Sequence, residues 1–592
     1  MPQTAHTPTP RHAPATTART AAQAATALLA LLAGCASPLT ATESDFANRL
    51  PPERLRTVEP INLDRYNLDP AAAQPQSPSA NDPQADLAPF DDRYAQLERI
   101  ERALPDLRAA ALEHNLGLRV ALIDPTLATQ NLREEAARFE AVLSGGISYS
   151  EDDSPTLDIT DANSQERVNA NLGVDIPLRS GGRASVDVTE NWRSSPNPFF
   201  TADTTFTTVA SFSLAQPLLR NAGRRVNTNP IRIAGLEQQA SEARTKLEVI
   251  RTLAEIDRAY WQLFAAERAL AVAQQQYELA LSLLERARRL VTAGAQPRIE
   301  VTRAQAALAQ RLEGIIIAEN QALDAQRRLK RLVNEPGLGV GSQTAIDPTT
   351  EPAAAPLNLD AQALAKAAIN TRMESLELEL QLAADALRIE NARNGLLPSF
   401  ALDYRYQIAG LGTGLGPSIA QVGDNDFESW TAGVSGEIPL GNDAAEARLR
   451  RAVLARIQRL GRYADRREQI IEEVYRAVDN TEAAWQRILA SAQSVLAAAR
   501  TFEAEQRAFD ARERTATEVS EAAFALADAQ LAEIRAVADY QVALVDLAFA
   551  TGTVLGQAQI DWAPTTGENE PFAADEPAKP SNIGEPDEPL YR

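Results

Sequence analysis

Apolar residues seven positions apart dominate two long stretches of the chain. Ile256, Leu263, Leu270, Tyr277, Leu284 and Val291 form the first series. Such an interval keeps one seam of a helix turned towards a partner, so it predicts a coiled-coil-like helix over about 230–292. The second stretch, about 444–509, carries Val474, Ile488, Val495, Phe502 and Phe509, with Thr481 as its one polar member. Ile471, Val478 and Trp485 give it a second seam. At ~1.5 Å per residue each helix is on the order of 100 Å long, far beyond what a compact domain needs. The first helix reverses at Thr292-Ala293-Gly294-Ala295-Gln296-Pro297, where Gly294 suits a left-handed C-terminal residue and Pro297 a first helical turn. The second reverses near 511–517 without a glycine. Shorter helices, about 297–333 and 517–550, return; two more, about 107–139 and 359–394, lead into segments of a different period.

Those segments alternate. Phe400, Leu402, Tyr404, Tyr406 and Ile408 interleave with Ala401, Asp403, Arg405, Gln407 and Ala409. A partner run sets Trp430, Ala432, Val434, Ile438 and Leu440 against Thr431, Gly433, Ser435 and Glu437. Each run has roughly the 9–11 residues of a tilted membrane strand. A half-buried strand of a soluble sandwich alternates in the same way. The scarcity of other β-structure to cover the apolar face, together with its aromatics, favours a barrel. Earlier in the chain four such runs are predicted: Leu143, Ile147 and Tyr149; Val168 to Leu178; Ala184 to Trp192; and Phe206 to Leu214. Arg179-Ser180-Gly181-Gly182 makes a short turn, while the connections near 151–166, 194–204 and 410–427 are longer and polar or Gly-rich.

The pattern occurs twice. A shift of about 257 positions lays Ala110-Ala111-Leu112 on Ala367-Ala368-Ile369, and Leu143 and Tyr149 on Phe400 and Tyr406. The expected organisation is a targeting segment at 1–35, a flexible tether at 36–95 and a first repeat at 96–340 with strands about 142–216. A linker at 341–358, a second repeat at 359–556 with strands about 399–440, and an acidic, disordered tail at 557–592 follow. In the targeting segment a short apolar stretch precedes Leu32-Ala33-Gly34-Cys35. Cys35 is the expected lipidation site of a lipobox; the alternative is an ordinary secretory signal with an incidental cysteine.

Composition narrows the function. The 592 residues include one Cys, two Met and three His. His6 and His12 lie in the targeting segment, which leaves His114. Histidine catalysis, a zinc site and a disulfide framework all lack their residues, so no enzyme activity and no cofactor is expected. A net charge of −22 is unsuited to nucleic acid. No apolar run after the targeting segment reaches the roughly 20 residues of a spanning helix, so a membrane crossing must use strands.

Several local runs carry a resemblance. These are Ala-Leu-Glu-His-Asn at 111–115, Gln216-Pro217-Leu218-Leu219-Arg220 ahead of the first long helix, and Arg514-Thr515-Ala516-Thr517-Glu518-Val519-Ser520-Glu521-Ala522 at the second tip. In this order, behind a lipobox and across two halves, they resemble the TolC-like outer-membrane factor family over about residues 96–556. The resemblance implies an α+β membrane protein. Its duplicated helix–strand–helix repeats would form a trimeric outer-membrane β-barrel continued by a long periplasmic α-helical barrel. It further implies a homotrimer in outer-membrane lipid, a lipid-anchored passive conduit of a tripartite efflux pump or type I secretion system. A periplasmic adaptor protein and an inner-membrane transporter would be its partners.

In that family acidic side chains past the second tip narrow the entrance, which makes Glu518 and Glu521 gate candidates, with Glu300 and Asp510 beside them. A solvated helix face is the competing reading of these acids. Gly294, Ala295, Arg514 and Thr515 are candidate adaptor contacts, or ordinary turn residues. Family members contribute four strands per protomer; six are expected here, unless the run from Val168 to Trp192 folds outside the wall. A periplasmic adaptor lipoprotein is one alternative, but it would have one hairpin, not two. A structural coiled-coil lipoprotein is another, but it would not need membrane-length strands.

Overall fold

The computed structural model describes residues 93–153, 164–195, 202–511 and 513–561, all within one compact unit, Asp86–Arg592. The targeting segment with Cys35, the tether up to residue 92 and the tail from residue 562 lie outside the described residues. The elements run β1 (Glu98–Arg102), α1 (Leu104–His114), α2 (Leu116–Ala121), α3 (Ile123–Ala137), β2 (Val142–Asp153), β3 (Ser164–Pro177), β4 (Arg183–Ser194) and β5 (Thr204–Pro217). After these come α4 (Arg224–Thr292), α5 (Ile299–Val333), β6 (Thr344–Pro348), α6 (Ala361–Thr371), α7 (Met373–Asn394) and β7 (Ser399–Gly412). The series ends with α8 (Leu415–Asp424), β8 (Glu428–Glu437), α9 (Asp443–Asp510), α10 (Ala516–Thr551) and α11 (Val554–Gln557).

The heptad residues are the core of the helical part. Ile256 and Leu263 are fully buried against Leu107, Ala111 and Leu329, joining α4 to α1 and α5. Val474 and Val478 pack with Ala368 and Leu547, joining α9 to α6 and α10. The two clusters repeat one another: Ala111 and Ala368 hold the same place, as do Ile256 and Val474, and Leu329 and Leu547. A third cluster sets Leu118, Val249 and Leu253 against Ala548 and Val554, fastening the halves together.

The helices leading into the strands are broken, where the pattern predicts continuous ones. Asn115 ends α1 and caps α2, accepting from the Leu118 N–H at 2.9 Å and donating to the Leu332 carbonyl at 2.6 Å. About 257 positions on, Arg372 separates α6 from α7 and donates to the Ala550 carbonyl at 3.2 Å. Each break lets one side chain reach the free carbonyls at the end of the returning helix, α5 or α10. Arg372 is 3 % exposed and also pairs with Glu374 (2.6 Å) and Glu473 (2.9 Å).

α4 begins at Arg224, ahead of the Pro230 expected to start it. Its opening turns are tied by side chains instead: Asn227 donates to the Asn221 and Gly223 carbonyls, and Thr228 to that of Arg224. β1 and β6 form a small parallel ladder that the alternation does not show, the second strand lying inside the Pro-rich linker.

The remaining six strands make one antiparallel sheet in the order β2-β3-β4-β5-β7-β8. The β3–β4 hairpin is hydrogen-bonded on both sides, to β2 and to β5, so it belongs to the sheet and does not fold elsewhere. This hairpin also explains a change of offset between the halves. Ahead of the strands equivalent residues lie about 257 apart; after them α4 and α9 start about 219 apart.

Candidate functional site

Two surfaces carry the candidate function: the faces and edges of the six-stranded sheet, and the reversals at the far ends of α4 and α9. Register divides the sheet cleanly. One row crossing all six strands is Leu143, Val174, Val186, Phe212, Tyr406 and Trp430. The adjacent row, on the other face, is Ser144, Gly173, Asp187, Ser211, Gln407 and Ser429. Side chains therefore alternate residue by residue along each strand, and the sheet keeps one apolar and one polar face across all six, as in a wall between lipid and water.

Among the described residues, nothing pairs with the outer edges of β2 and β8. Every residue of β2 and of β8 is exposed, including Ile147 at 72 % and Trp430 at 67 %. Each edge offers a row of unpaired N–H and carbonyl groups. The Leu178–Gly182 turn lies at the end of the sheet where the helices attach: the Gly223 N–H donates to the Ser180 carbonyl at 2.9 Å. Gly181 there has φ +90°, and a Cβ on it would stand 2.1 Å from the Asn221 carbonyl oxygen. β2 ends and β3 begins at the opposite end, as do β4 and β5, and β7 and β8.

At the first tip Gly294 takes the left-handed conformation (φ +72°), and Ala295 beside it is exposed. At the second tip Thr515 and Glu518 form a capping box at the start of α10. The Thr515 N–H donates to the Glu518 carboxylate at 2.7 Å, and the Glu518 N–H donates to the Thr515 hydroxyl at 3.4 Å. Arg514 also donates to Glu518, at 2.7 Å. The Thr515 N–H, then the Arg514 guanidinium and the Thr515 hydroxyl, hold this carboxyl below the usual range.

The four candidate acids are not gathered at one point. Glu300 is buried at the start of α5 and accepts from Arg303 at 2.8 Å. Glu521, exposed on α10, lines a cleft of about 350 Å³ with Glu300, Arg303 and Phe524. Asp510 accepts from Arg286 of α4 at 2.9 Å, and Arg286 stacks on Phe509 at 4.2 Å. That pair links the two tips. The sequence offers no signal for it, since Arg286 and Asp510 lie 224 positions apart.

Comparison with known proteins bears on the family and the fold. The family model for outer membrane efflux proteins matches residues 185–335 and 364–553, more than half of the chain. No curated protein sequence matches. Among solved structures, the chain is similar to the Campylobacter jejuni CmeC outer membrane channel, at 15% identity and a TM-score of 0.58, over 76% of this chain and 85% of that one. It is similar to the outer membrane protein VceC from Vibrio cholerae, at 16% identity and 0.57, over 76% and 96%. The open-state Neisseria gonorrhoeae MtrE outer membrane channel gives 18% and 0.54, over 80% and 95%. At these identities the structural likeness is one of fold. With the family model matched over both halves, the chain belongs to the outer membrane efflux protein family and is an outer-membrane efflux channel.

Proposed function

We propose that three copies of the chain close side by side into a conduit running from the periplasm to the exterior. The observation that carries this reading is the two-faced sheet with two open edges. In lipid, each unpaired peptide group costs several kcal/mol, so an open sheet cannot remain there; closure on neighbouring copies removes both edges. The polarity of the edges suits this. β2 leaves the helical end and β8 returns to it, so the β2 edge of one copy meets the β8 edge of the next antiparallel.

Exposed apolar residues continue each edge down the helices. Leu116, Val120, Ile123 and Leu127 (53–66 % exposed) precede β2, and Leu454, Ile457 and Leu460 (46–63 %) follow β8. Three copies of a six-stranded sheet give an eighteen-stranded barrel, wide enough for an aqueous lumen.

In this reading the helices line a periplasmic tunnel and the channel performs no chemistry of its own. An adaptor docks on Gly294, Ala295, Arg514 and Thr515, and an inner-membrane transporter supplies the energy, as in a tripartite efflux pump or a type I secretion system. Cys35 carries the lipid anchor; Cys35→Ser abolishes incorporation of labelled acyl chains if it does. Three copies bring Glu521 and Glu518 towards one axis, where their charge favours cations. Conductance in planar bilayers tests the conduit. Wild-type protein conducts and prefers cations, and Glu518→Gln with Glu521→Gln lowers that preference. Absence of any conductance refutes the conduit, and unchanged selectivity and cation block refute the gate.

A further inference from the structure

The β7–β8 connection folds into α8, which lies against β7 and β5. Close approaches fix the face it covers. A Cβ on Gly410 would stand 2.0 Å from the Ser418 carbonyl oxygen and 3.1 Å from the Val422 side chain; one on Gly412 would stand 2.9 Å from the Ser418 nitrogen. Two glycines, two residues apart on one face of β7, thus form a flat seat for the helix. Ser418, fully buried, sets its hydroxyl 2.8 Å from that of Thr208.

Gly410 opposes Thr208 and Thr208 opposes Glu190, and all three share a face with Ile408, Ala210 and Val188. That is the apolar face of the sheet. In a barrel with a polar lumen, α8 is therefore outside the wall.

Its composition suits that place. From Leu415 to Gly423 the helix has no charged residue, and Leu415 and Ile419 stand 49 % and 52 % exposed, turned away from the sheet. It also covers polar groups on this face: Thr208, 4 % exposed, donates to the Glu190 carboxylate and touches Ser418 of α8. The apolar residues of β7 run from Phe400 to Ile408. At ~3.3 Å per residue and a tilt of about 40° they span roughly 20 Å, nearly the apolar band of an outer-membrane barrel. α8 sits at the distal margin of that band.

We propose that α8 is a lipid-contacting collar, seated on the outside of the barrel with Leu415 and Ile419 among the acyl chains of the outer leaflet. This rests on the barrel reading, and the test separates the two. Ile419→Cys, Val434→Cys (apolar face of β8) and Asn171→Cys (polar face of β3) each receive an environment-sensitive fluorophore in full-length protein reconstituted in vesicles. Labelled wild type corrects for any reaction at Cys35. Quenching is compared between nitroxide on the lipid acyl chain and iodide in water. The Ile419 probe follows Val434, quenched at least twofold more by acyl-chain nitroxide than by iodide, while Asn171 shows the reverse. An Ile419 probe that behaves like Asn171 beside a lipid-quenched Val434 places α8 in water and overturns the collar alone. If the Val434 probe also escapes the nitroxide, the barrel reading fails and the collar with it.

Discussion

Burial between α4 and the β1–β6 ladder raises the Glu267 carboxyl to about 7, against the hydrogen bonds it accepts from Tyr94 and Gln326; Asp347 adds to the rise and Arg99 opposes it. A carboxyl raised in this way favours folding below the ordinary carboxylate range, and that contribution is lost as pH climbs through 7. Glu267→Gln removes the titration. Thermal melts in detergent should show little change at pH 5 and a relative gain of about 1–2 kcal/mol at pH 8, after allowance for solvent screening. Equal pH dependence in both proteins contradicts the assignment. At the second tip, Thr515→Ala removes half of the capping box and costs about 1 kcal/mol, read as faster amide exchange in the first turn of α10. The sequence shows that box as Thr515 and Glu518 three positions apart, but the gate reading attends to the charge alone. Glu518 caps its own helix whichever way it acts in the channel.

At the scale of elements, period made the long helices and strands legible, because each buries one regular face. Elements whose reason lies in tertiary contact stayed hidden. Apolar residues run straight through the breaks at Asn115 and Arg372, and only the carbonyls of Leu332 and Ala550 explain them. α8 was hidden because Gly412, Gly414 and Gly416 read as loop residues, whereas Gly412 serves to admit the helix. Two predictions belong here. Arg372→Ala leaves Glu374 and Glu473 with Arg466 alone and should destabilise the protein by about 3–5 kcal/mol in melts, with a surface control such as Arg450→Ala near neutral. Val120→Lys with Ile457→Lys places charge on both exposed helical stripes. Each aliphatic contact is worth roughly 1.5–3 kcal/mol, so the oligomer should dissociate at more than tenfold higher concentration while circular dichroism is unchanged.

For the whole molecule, duplication is the organising fact. Two copies of helix, strand and long helix share one core, visible in Ile256 with Val474 and Leu329 with Leu547. The first copy carries the additional β3–β4 hairpin, which lengthens the sheet from its middle and leaves the outer edges to β2 and β8. Alternation alone revealed those two strands but not their place, because register depends on the partner strand; the ladders with β2 and β5 supply it. The number of copies in the ring follows from how edges and stripes meet between chains. The most direct test of closure is a single-particle reconstruction of the detergent-solubilised protein, in which strands and copies are counted together. Three copies with eighteen continuous strands and no open edge is the predicted result; separate six-stranded sheets, or a wall that leaves out the β3–β4 hairpin, would contradict it.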